Sequence, residues 1–258
     1  MTNKITPHKN KGTITIVSDI HGNYNDYQKY LQLWNHKKPY HHIVFLGDLI
    51  HSTNKKDKSI QILDDAIQKT KQYPNFHVLL GNHEWSHITH TDIYKNGQNQ
   101  RKQFEELVKQ EKKDHAYESM QKYMEFFKSL PFFLRTSNGL FLSHAGPSDR
   151  NATYLDYTAL ARLTSYNSCI LPTDYKLVEA MVWNRPENYD DQDIASFLHK
   201  CGSNFMVVGH TPVEAYQFYG EQLILSSSFQ TKQKCYLEVD LNKRINNQED
   251  VVDCIRTL

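Results

Sequence analysis

Cysteine, glycine and an excess of either charge are all scarce in this chain, and each scarcity removes a class of protein. The four cysteines, Cys169, Cys201, Cys235 and Cys254, are spread through 258 residues without a CxxC pair. Neither a zinc ribbon nor a dithiol redox motif is therefore present, and the thiols read as buried or idle. Lys and Arg number 30 against 29 Asp and Glu, a formal charge of +1, which leaves no overall field to hold nucleic acid or an anionic membrane. No stretch approaches the ~20 apolar residues that a spanning helix needs, and the opening MTNKITPHKNKG has no apolar run of signal-peptide length. A soluble, cytoplasmic protein is expected. Repeats, low-complexity tracts and linkers are also lacking, and the length suits a single α/β domain.

What is present is a recurring unit of apolar run, polar cluster and amphipathic segment. Ile14, Ile16 and Val17 form a β-branched run that ends in SDIHGN; Tyr24, Tyr27, Leu31 and Trp34 then recur at helical spacing. A second run, Ile43 to Leu46, ends at Gly47-Asp48, and a third, Phe76 to Leu80, ends in GNHE after a helix marked by Ile60, Leu63, Ala66 and Ile67. These are βαβ units, so the first sheet is predicted to be parallel. From about 98 to 130, Phe104, Leu107, Val108, Met120, Tyr123, Met124 and Phe127 stripe a charged background as helices would, which predicts a helical cap or insert. Phe132–Arg135 and Leu140–Leu142 read as strands around a Ser-Asn-Gly turn, the second ending in SHAG. Tyr154 to Lys200 reads as mainly helical, with Pro186 ending a helix near Arg185. Phe205–Val208 reads as a strand ending in GHTP, and Leu223–Leu225 and Cys235–Val239 as antiparallel strands of a second sheet.

Loops at strand ends are where α/β proteins build sites. The polar clusters at the ends of these runs supply Asp19, His21, Asp48, Asn82, His83, His144 and His210. Any one of fourteen histidines is ordinary by itself; their recurrence at successive strand ends is not. Carboxylates, imidazoles and an amide together suit borderline divalent metals such as manganese, iron or zinc better than calcium or magnesium. Half of the ten glycines, Gly22, Gly47, Gly81, Gly146 and Gly209, lie within two residues of these positions, as tight strand-to-loop turns require.

DIHGN, GDL, GNHE, HAG and GHTP, in this order from about Ile14 to Leu241, resemble the signature blocks of the phosphoprotein-phosphatase branch of the calcineurin-like metallophosphoesterases. VWNRPE followed by VVGHTP is further similar to the small bacterial and bacteriophage, lambda-type members. The resemblance implies a four-layer α/β/β/α sandwich with a helical cap or insert, forming one domain whose core runs from about 13 to 241. It implies two divalent metal ions, manganese first and iron or zinc as alternatives. Asp19 and His21 would bind one ion, Asp48 would bridge, and Asn82, His144 and His210 would complete the second site. His83 would be the general acid and Arg185 the substrate-binding clamp on phosphate oxygens. Such ions, roughly 3.5–4 Å apart, hold a water as hydroxide and neutralise charge during in-line attack on phosphorus.

The sequence departs from that pattern at one place. After GDLI the family's Asp-Arg-Gly triplet is replaced by His51, Ser52 and Thr53, so an aspartate that orients the catalytic histidine and a second phosphate-binding arginine are both missing. Lys55 and Lys56 follow as possible sources of charge, and His51 is a candidate contact of His83. The function implied is removal of phosphate from phosphoserine or phosphothreonine, with phosphotyrosine as a variant, so the expected partner is a phosphorylated protein or peptide. Hydrolysis of a dinucleoside polyphosphate or other nucleotide is the alternative enzyme, and a weakly active metal-containing binding module the non-enzymatic one. Nucleic acid and membrane partners are not expected.

Overall fold

The computed structural model describes residues 4–5, 12–52, 56–147, 162–169 and 171–258. Thr53, Lys55 and the part of the helical reading that runs from Tyr154 to residue 161 lie outside the described residues.

Two sheets are stacked face to face. One has five strands in the order β13-β12-β2-β3-β4, made of β2 (Thr13–Val17), β3 (His41–Phe45), β4 (Phe76–Val78), β12 (Cys235–Asp240) and β13 (Ile255–Thr257). Its β2, β3 and β4 are parallel, as the βαβ pattern predicts, and β12 adds antiparallel to β2. The other has six strands in the order β1-β7-β8-β9-β11-β10: β1 (Lys4–Ile5), β7 (Phe133–Thr136), β8 (Leu140–Ser143), β9 (Phe205–Val208), β10 (Tyr216–Tyr219) and β11 (Gln222–Leu225). One expectation is corrected here. Leu223–Leu225 and Cys235–Val239 do not pair: β11 lies parallel to β9 in the six-stranded sheet, while β12 crosses to β2 in the other. Both runs are apolar enough for either place, and alternation within a strand says which face is buried but not which partner is taken.

The period-2 alternation explains the layers. Ile14 and Ile16 of β2, Val44 of β3, Phe205 and Val207 of β9 and Leu223 and Leu225 of β11 meet in the seam between the sheets. Their neighbours Val17, Ile43, Phe45, Met206, Val208 and Ile224 turn outward to a second core under the helices. Each fully buried side chain of this kind contributes roughly 1.5–3 kcal/mol. The helices are α1 (Tyr24–Leu33), α2 (Ser59–Gln72), α3 (Asn82–Thr89), α4 (Gln100–Lys112), α5 (Ala116–Ser129), α6 (Pro172–Trp183), α7 (Asp191–Cys201) and α8 (Gln248–Val252). Asn23 caps α1 by accepting the Asp26 N–H, Pro172 opens α6, and α7 runs from an Asp190 cap to Gly202 in the left-handed region. Tyr27 of α1 packs on Phe45 of the five-stranded sheet, with ring centroids 5.2 Å apart, and Phe197 of α7 packs on Phe141 of the six-stranded sheet at 5.0 Å. The architecture is the expected four-layer α/β/β/α sandwich. Helices α4 and α5 account for the helical stripes, and a two-strand hairpin, β5 (Tyr94–Lys95) with β6 (Gln98–Asn99), precedes them.

The sheets are clasped beside the strand ends. The Ser18 N–H donates to Ser227 Oγ at 2.9 Å, and the Ser227 N–H donates back to Ser18 Oγ at 3.0 Å. Among the described residues no helix is long and apolar enough to cross a membrane.

Candidate metal centre

The loops after β2, β3, β4, β8 and β9 converge at one edge of the sandwich, and their backbones are packed as closely as glycine allows. A Cβ on Gly47, whose φ is +109°, would lie 2.6 Å from the Gly81 Cα, and one on Gly81 would strike the Asp48 carboxylate and amide. Any side chain here would force the GDL and GNHE loops apart. The buried Glu84 carboxylate then locks the crossing by accepting the N–H groups of Asp48 and Leu49, each at 2.9 Å, and of Gly81 at 3.2 Å. Glycine is not the only residue in the left-handed region: His21 (φ +46°), Asp48 (+52°), His51 (+67°) and His210 (+62°) are there too. Such strain in non-glycine residues concentrates at functional sites.

All six sequence-predicted ligands are buried and face one another. Asp48 sits in the middle, with Oδ2 3.5 Å from His21 Nε2 and Oδ1 3.5 Å from His144 Nε2. Asp19 lies 3.9 Å from His21 Nε2 and is held by the His210 N–H at 3.0 Å. Asn82 Oδ1 lies 2.9 Å from His144 Nε2 and 3.1 Å from His210 Nδ1.

Backbone carbonyls decide the tautomers of two rings. His21 Nδ1 donates to Ile50 O at 3.0 Å and His144 Nδ1 to Leu46 O at 3.1 Å, whereas His210 Nε2 lies 3.1 Å from Trp183 O and 3.2 Å from the Arg185 Nε–H, two contacts that call for opposite tautomers. In the first two rings, when neutral, the other nitrogen is then bare. His144 Nε2 and Asn82 Oδ1 are thus two acceptors facing each other with no proton to share, His210 Nδ1 lies beside them, and His21 Nε2 faces two carboxylates. Such an arrangement is satisfied by cations. The electrostatics agree, since burial raises the carboxyls of Asp19 and Asp48 above the usual range, Asp48 further through Glu84 and Asp19. Burial also lowers the imidazoles of His21 and His210, and brings His144 to about 3. Buried acids held up and imidazoles held neutral form a donor set that fits a pair of borderline divalent ions, centred on the triads His21/Asp48/His83 and Asp48/His144/His210.

His83 is the exception among the histidines. Its Nε2 is 3.8 Å from Asp48 Oδ2, but its Nδ1 meets no carbonyl; it lies 2.6 Å from Nδ1 of His51. His51 in turn places Nε2 2.9 Å from Nε2 of His87, one turn further along α3 from His83. Arg185 donates its Nε–H to His210 Nε2 at 3.2 Å.

Sequence reasoning missed three residues here. Lys95, at the tip of the β5–β6 hairpin, holds its ammonium 3.5 Å above the Phe229 ring, and that ring lies 4.2 Å from His21. The half-buried Lys95 feels the carboxylates of Asp48 and Asp19 on one side and Arg185 on the other, and burial lowers its pKa. The Asn96-Gly97 dipeptide is a hairpin signal that would have placed it. His87 is four residues after His83, the spacing that puts two side chains on one helical face. Phe229 had no signal. Lys56 is exposed, whereas Lys95 lines a groove of about 630 Å³ with Ser52, Asp57, Lys102, Gln103 and Glu106 among others.

Loops at the strand ends of a four-layer sandwich, converging on a carboxylate between two imidazole-rich donor sets, define a metallophosphoesterase. Residues 12–214 match the family model for calcineurin-like phosphoesterases, so the chain belongs to that family and is a metal-dependent phosphatase. Its fold is similar to that of a protein serine/threonine phosphatase from Saccharomyces cerevisiae, with TM-score 0.71 and 16% identity over 100% of this chain and 84% of that one. It is also similar to the cold-active protein-tyrosine phosphatase of a Shewanella species, with TM-score 0.61 and 18% identity over 100% of this chain and 82% of that one. A candidate diadenosine tetraphosphatase aligns with TM-score 0.50 and 16% identity over 100% and 98%.

Proposed function

We propose that this phosphatase is a phosphomonoesterase of phosphorylated protein side chains, acting on phosphoserine and phosphothreonine first and phosphotyrosine second. Asp19 and His21 hold one divalent ion, Asn82, His144 and His210 hold the other, and Asp48 serves both. The observation that supports this division is the contrast between ring tautomers. His21 and His144 are locked by carbonyls with a bare nitrogen toward the cluster, as ligands must be, whereas His83 Nδ1 meets another imidazole and its Nε2 can hold a proton. Bound there, two ions supply Lewis acidity and an activated water; manganese is the first to assay, then iron and zinc.

The chain's own residues do the rest. The Arg185 guanidinium matches two phosphate oxygens in a fork, and the Lys95 ammonium, held over Phe229, adds a point charge. His83 donates a proton to the departing serine oxygen, a poor leaving group for which acid catalysis is typically worth about 10²–10⁴ in rate.

One observation favours a second reading. Lys95 and Lys102 line the groove beside the cluster together with Asp57 and Glu106, so a substrate with further phosphates, such as a dinucleoside polyphosphate, would meet a cation there. A panel of phosphoserine, phosphothreonine and phosphotyrosine peptides set against dinucleoside polyphosphates, with manganese added, separates the two. Higher kcat/KM on peptides supports the proposal, and preference for the nucleotides overturns it.

A further inference from the structure

One wall of the groove beside the cluster is a face of α4. Phe104 turns inward from that helix to pack on His51 and His87, with ring centroids at 5.8 and 5.2 Å, while Lys102, Gln103, Glu106 and Gln110 line the groove. Lys95 marks the inner end, since its ammonium sits over Phe229, whose ring lies 4.2 Å from His21. Gln98 pairs with Lys95 across the β5–β6 hairpin, so the N-terminal end of α4 is the end nearer the cluster. From Gln100 to Gln110 the helix advances about 15 Å, the reach of about five residues of extended peptide. Lys102 and Glu106 stand four residues apart on one face, about 6 Å along the axis. Alternate side chains of an extended chain share one side at about 6.6 Å spacing, so the two charges meet residues i and i+2 of such a chain in register. Both side chains are exposed, and the 2.6 Å pair that Glu106 makes with Lys109 is an exposed one that exchanges readily. The groove is also balanced in charge, with Lys95 and Lys102 against Asp57 and Glu106. A polyphosphate laid along it would bring its charge against two carboxylates, whereas a polypeptide carrying both signs would not.

We propose that this groove is the subsite for the polypeptide on one side of the phosphorylated residue, and that Lys102 and Glu106 are specificity-determining residues that read an acid-x-base pattern in it. This rests on the reading of the cluster as a phosphomonoesterase centre for protein side chains. With the phosphate held at the cluster, the substrate chain leaves past Lys95 and runs along α4. Its acidic residue meets Lys102, the next side chain turns away, and the basic residue meets Glu106, one helical turn further out. The reverse order places like charges together at both positions. Neither residue touches the reacting atoms, so the preference acts on capture of the substrate and falls on KM rather than kcat. Both pairs form at an exposed rim, which makes the preference weaken as salt rises.

The test compares wild type with the charge-swapped variant Lys102→Glu/Glu106→Lys, which keeps the net charge and changes only exposed side chains. The substrates are phosphoserine peptides carrying Asp-Ala-Lys or Lys-Ala-Asp at each register on either side of the phosphoserine, with para-nitrophenyl phosphate as the substrate that cannot reach the groove. Wild type should prefer Asp-Ala-Lys or its mirror, with the acid nearer the phosphoserine, on one side only, by about fivefold or more in kcat/KM, chiefly through KM and less so at high salt. The swapped variant should reverse that preference, and its turnover of para-nitrophenyl phosphate should stay within about twofold of wild type. Indifference of wild type to the pattern, or a preference that survives the swap, would overturn the proposal. So would a loss of dinucleoside polyphosphate turnover in Lys102→Glu with the peptides indifferent, which would give the groove to a nucleotide. Should wild type hydrolyse para-nitrophenyl phosphate but no phosphopeptide, the reading of function falls, and fluorescence anisotropy of the labelled peptides judges the groove by itself: binding that depends on the pattern and reverses with the swap supports it, and binding that does neither overturns it.

Discussion

The two walls of the metal cluster are built by different rules. One wall consists of strand ends: Asp19, Asp48, His144 and His210 each sit one to three residues beyond a strand, oriented by backbone groups at fixed distances. The other wall, made by Lys95, His51 and His87, comes from a hairpin, a loop and a helix, and its residues are oriented by other side chains. Backbone orientation ties a ligand to the fold. Side-chain orientation lets a site change its acid, its clamp or its substrate without altering the sheets. The departure from the family's triplet falls wholly within the second wall.

Asp48 stands in the middle of the first wall, between His21 and His144, and changing it has the largest expected effect. Asp48→Asn should lower turnover by more than about a thousandfold even in excess manganese, because several kcal/mol of charge stabilisation is lost. The same substitution should raise the melting temperature of the metal-free protein, since it removes a buried carboxylate crowded by Glu84 and Asp19. Full metal occupancy with wild-type rate would show that the first wall does not depend on this residue.

His83→Asn sharpens the contrast. Metal content should stay within experimental error of wild type, phosphoserine-peptide turnover should fall by about 10²–10⁴, and para-nitrophenyl phosphate should suffer less. Equal losses would make His83 a ligand and move it to the first wall. Lys95→Met should raise KM for phosphopeptides and the inhibition constant of inorganic phosphate together by about tenfold, a charge-assisted contact being worth roughly 1.5–3 kcal/mol. Arg185→Lys should weaken phosphate inhibition by a smaller factor, because charge is kept while the fork is lost. An unchanged phosphate inhibition constant in either variant would remove that residue from the phosphate site.

The opposite ends of the strands give a control that should leave turnover unchanged. His42 and His77, on β3 and β4, lie 3.1 Å apart, and burial lowers them to about 4 and about 3. Between pH 6.5 and 4 the unfolded chain binds protons there that the folded chain refuses, so stability falls as pH falls through that window. Near pH 5 the loss should be roughly 2 kcal/mol for each histidine. Urea midpoints measured against pH should flatten in His42→Gln/His77→Gln; parallel curves for the two proteins would refute the assignment.

What could be read from the sequence follows the same division. The convergence of Asp19, His21, Asp48, Asn82, His144 and His210 at one edge was legible because an apolar run ending in a glycine-bearing polar cluster is a local signal, repeated at successive strand ends. Strands β2, β3 and β4 were legible through βαβ spacing. The pairing of β12 with β2 was not, because it joins residues more than two hundred positions apart and both candidate sheets accept the same apolar pattern. His51 was noticed only as a departure. Its contacts, at separations of 32 and 36 residues, depend on how α3 leaves the Gly81 crossing. Lys95 was missed because a hairpin of two-residue strands has too little periodicity to register.

The reciprocal clasp between Ser18 and Ser227 gives the site a calibre. It ties one sheet to the other through paired amide and hydroxyl groups one residue before Asp19, and the His210 amide repeats the tie at Asp19 itself. The span across which two cations must fit is therefore ruled by main chain, much as the jaws of a gauge are fixed to its frame. Ions of different radius would have to adapt to that opening through their own bond lengths, and the opening is set partly by a pair of serines outside the donor set.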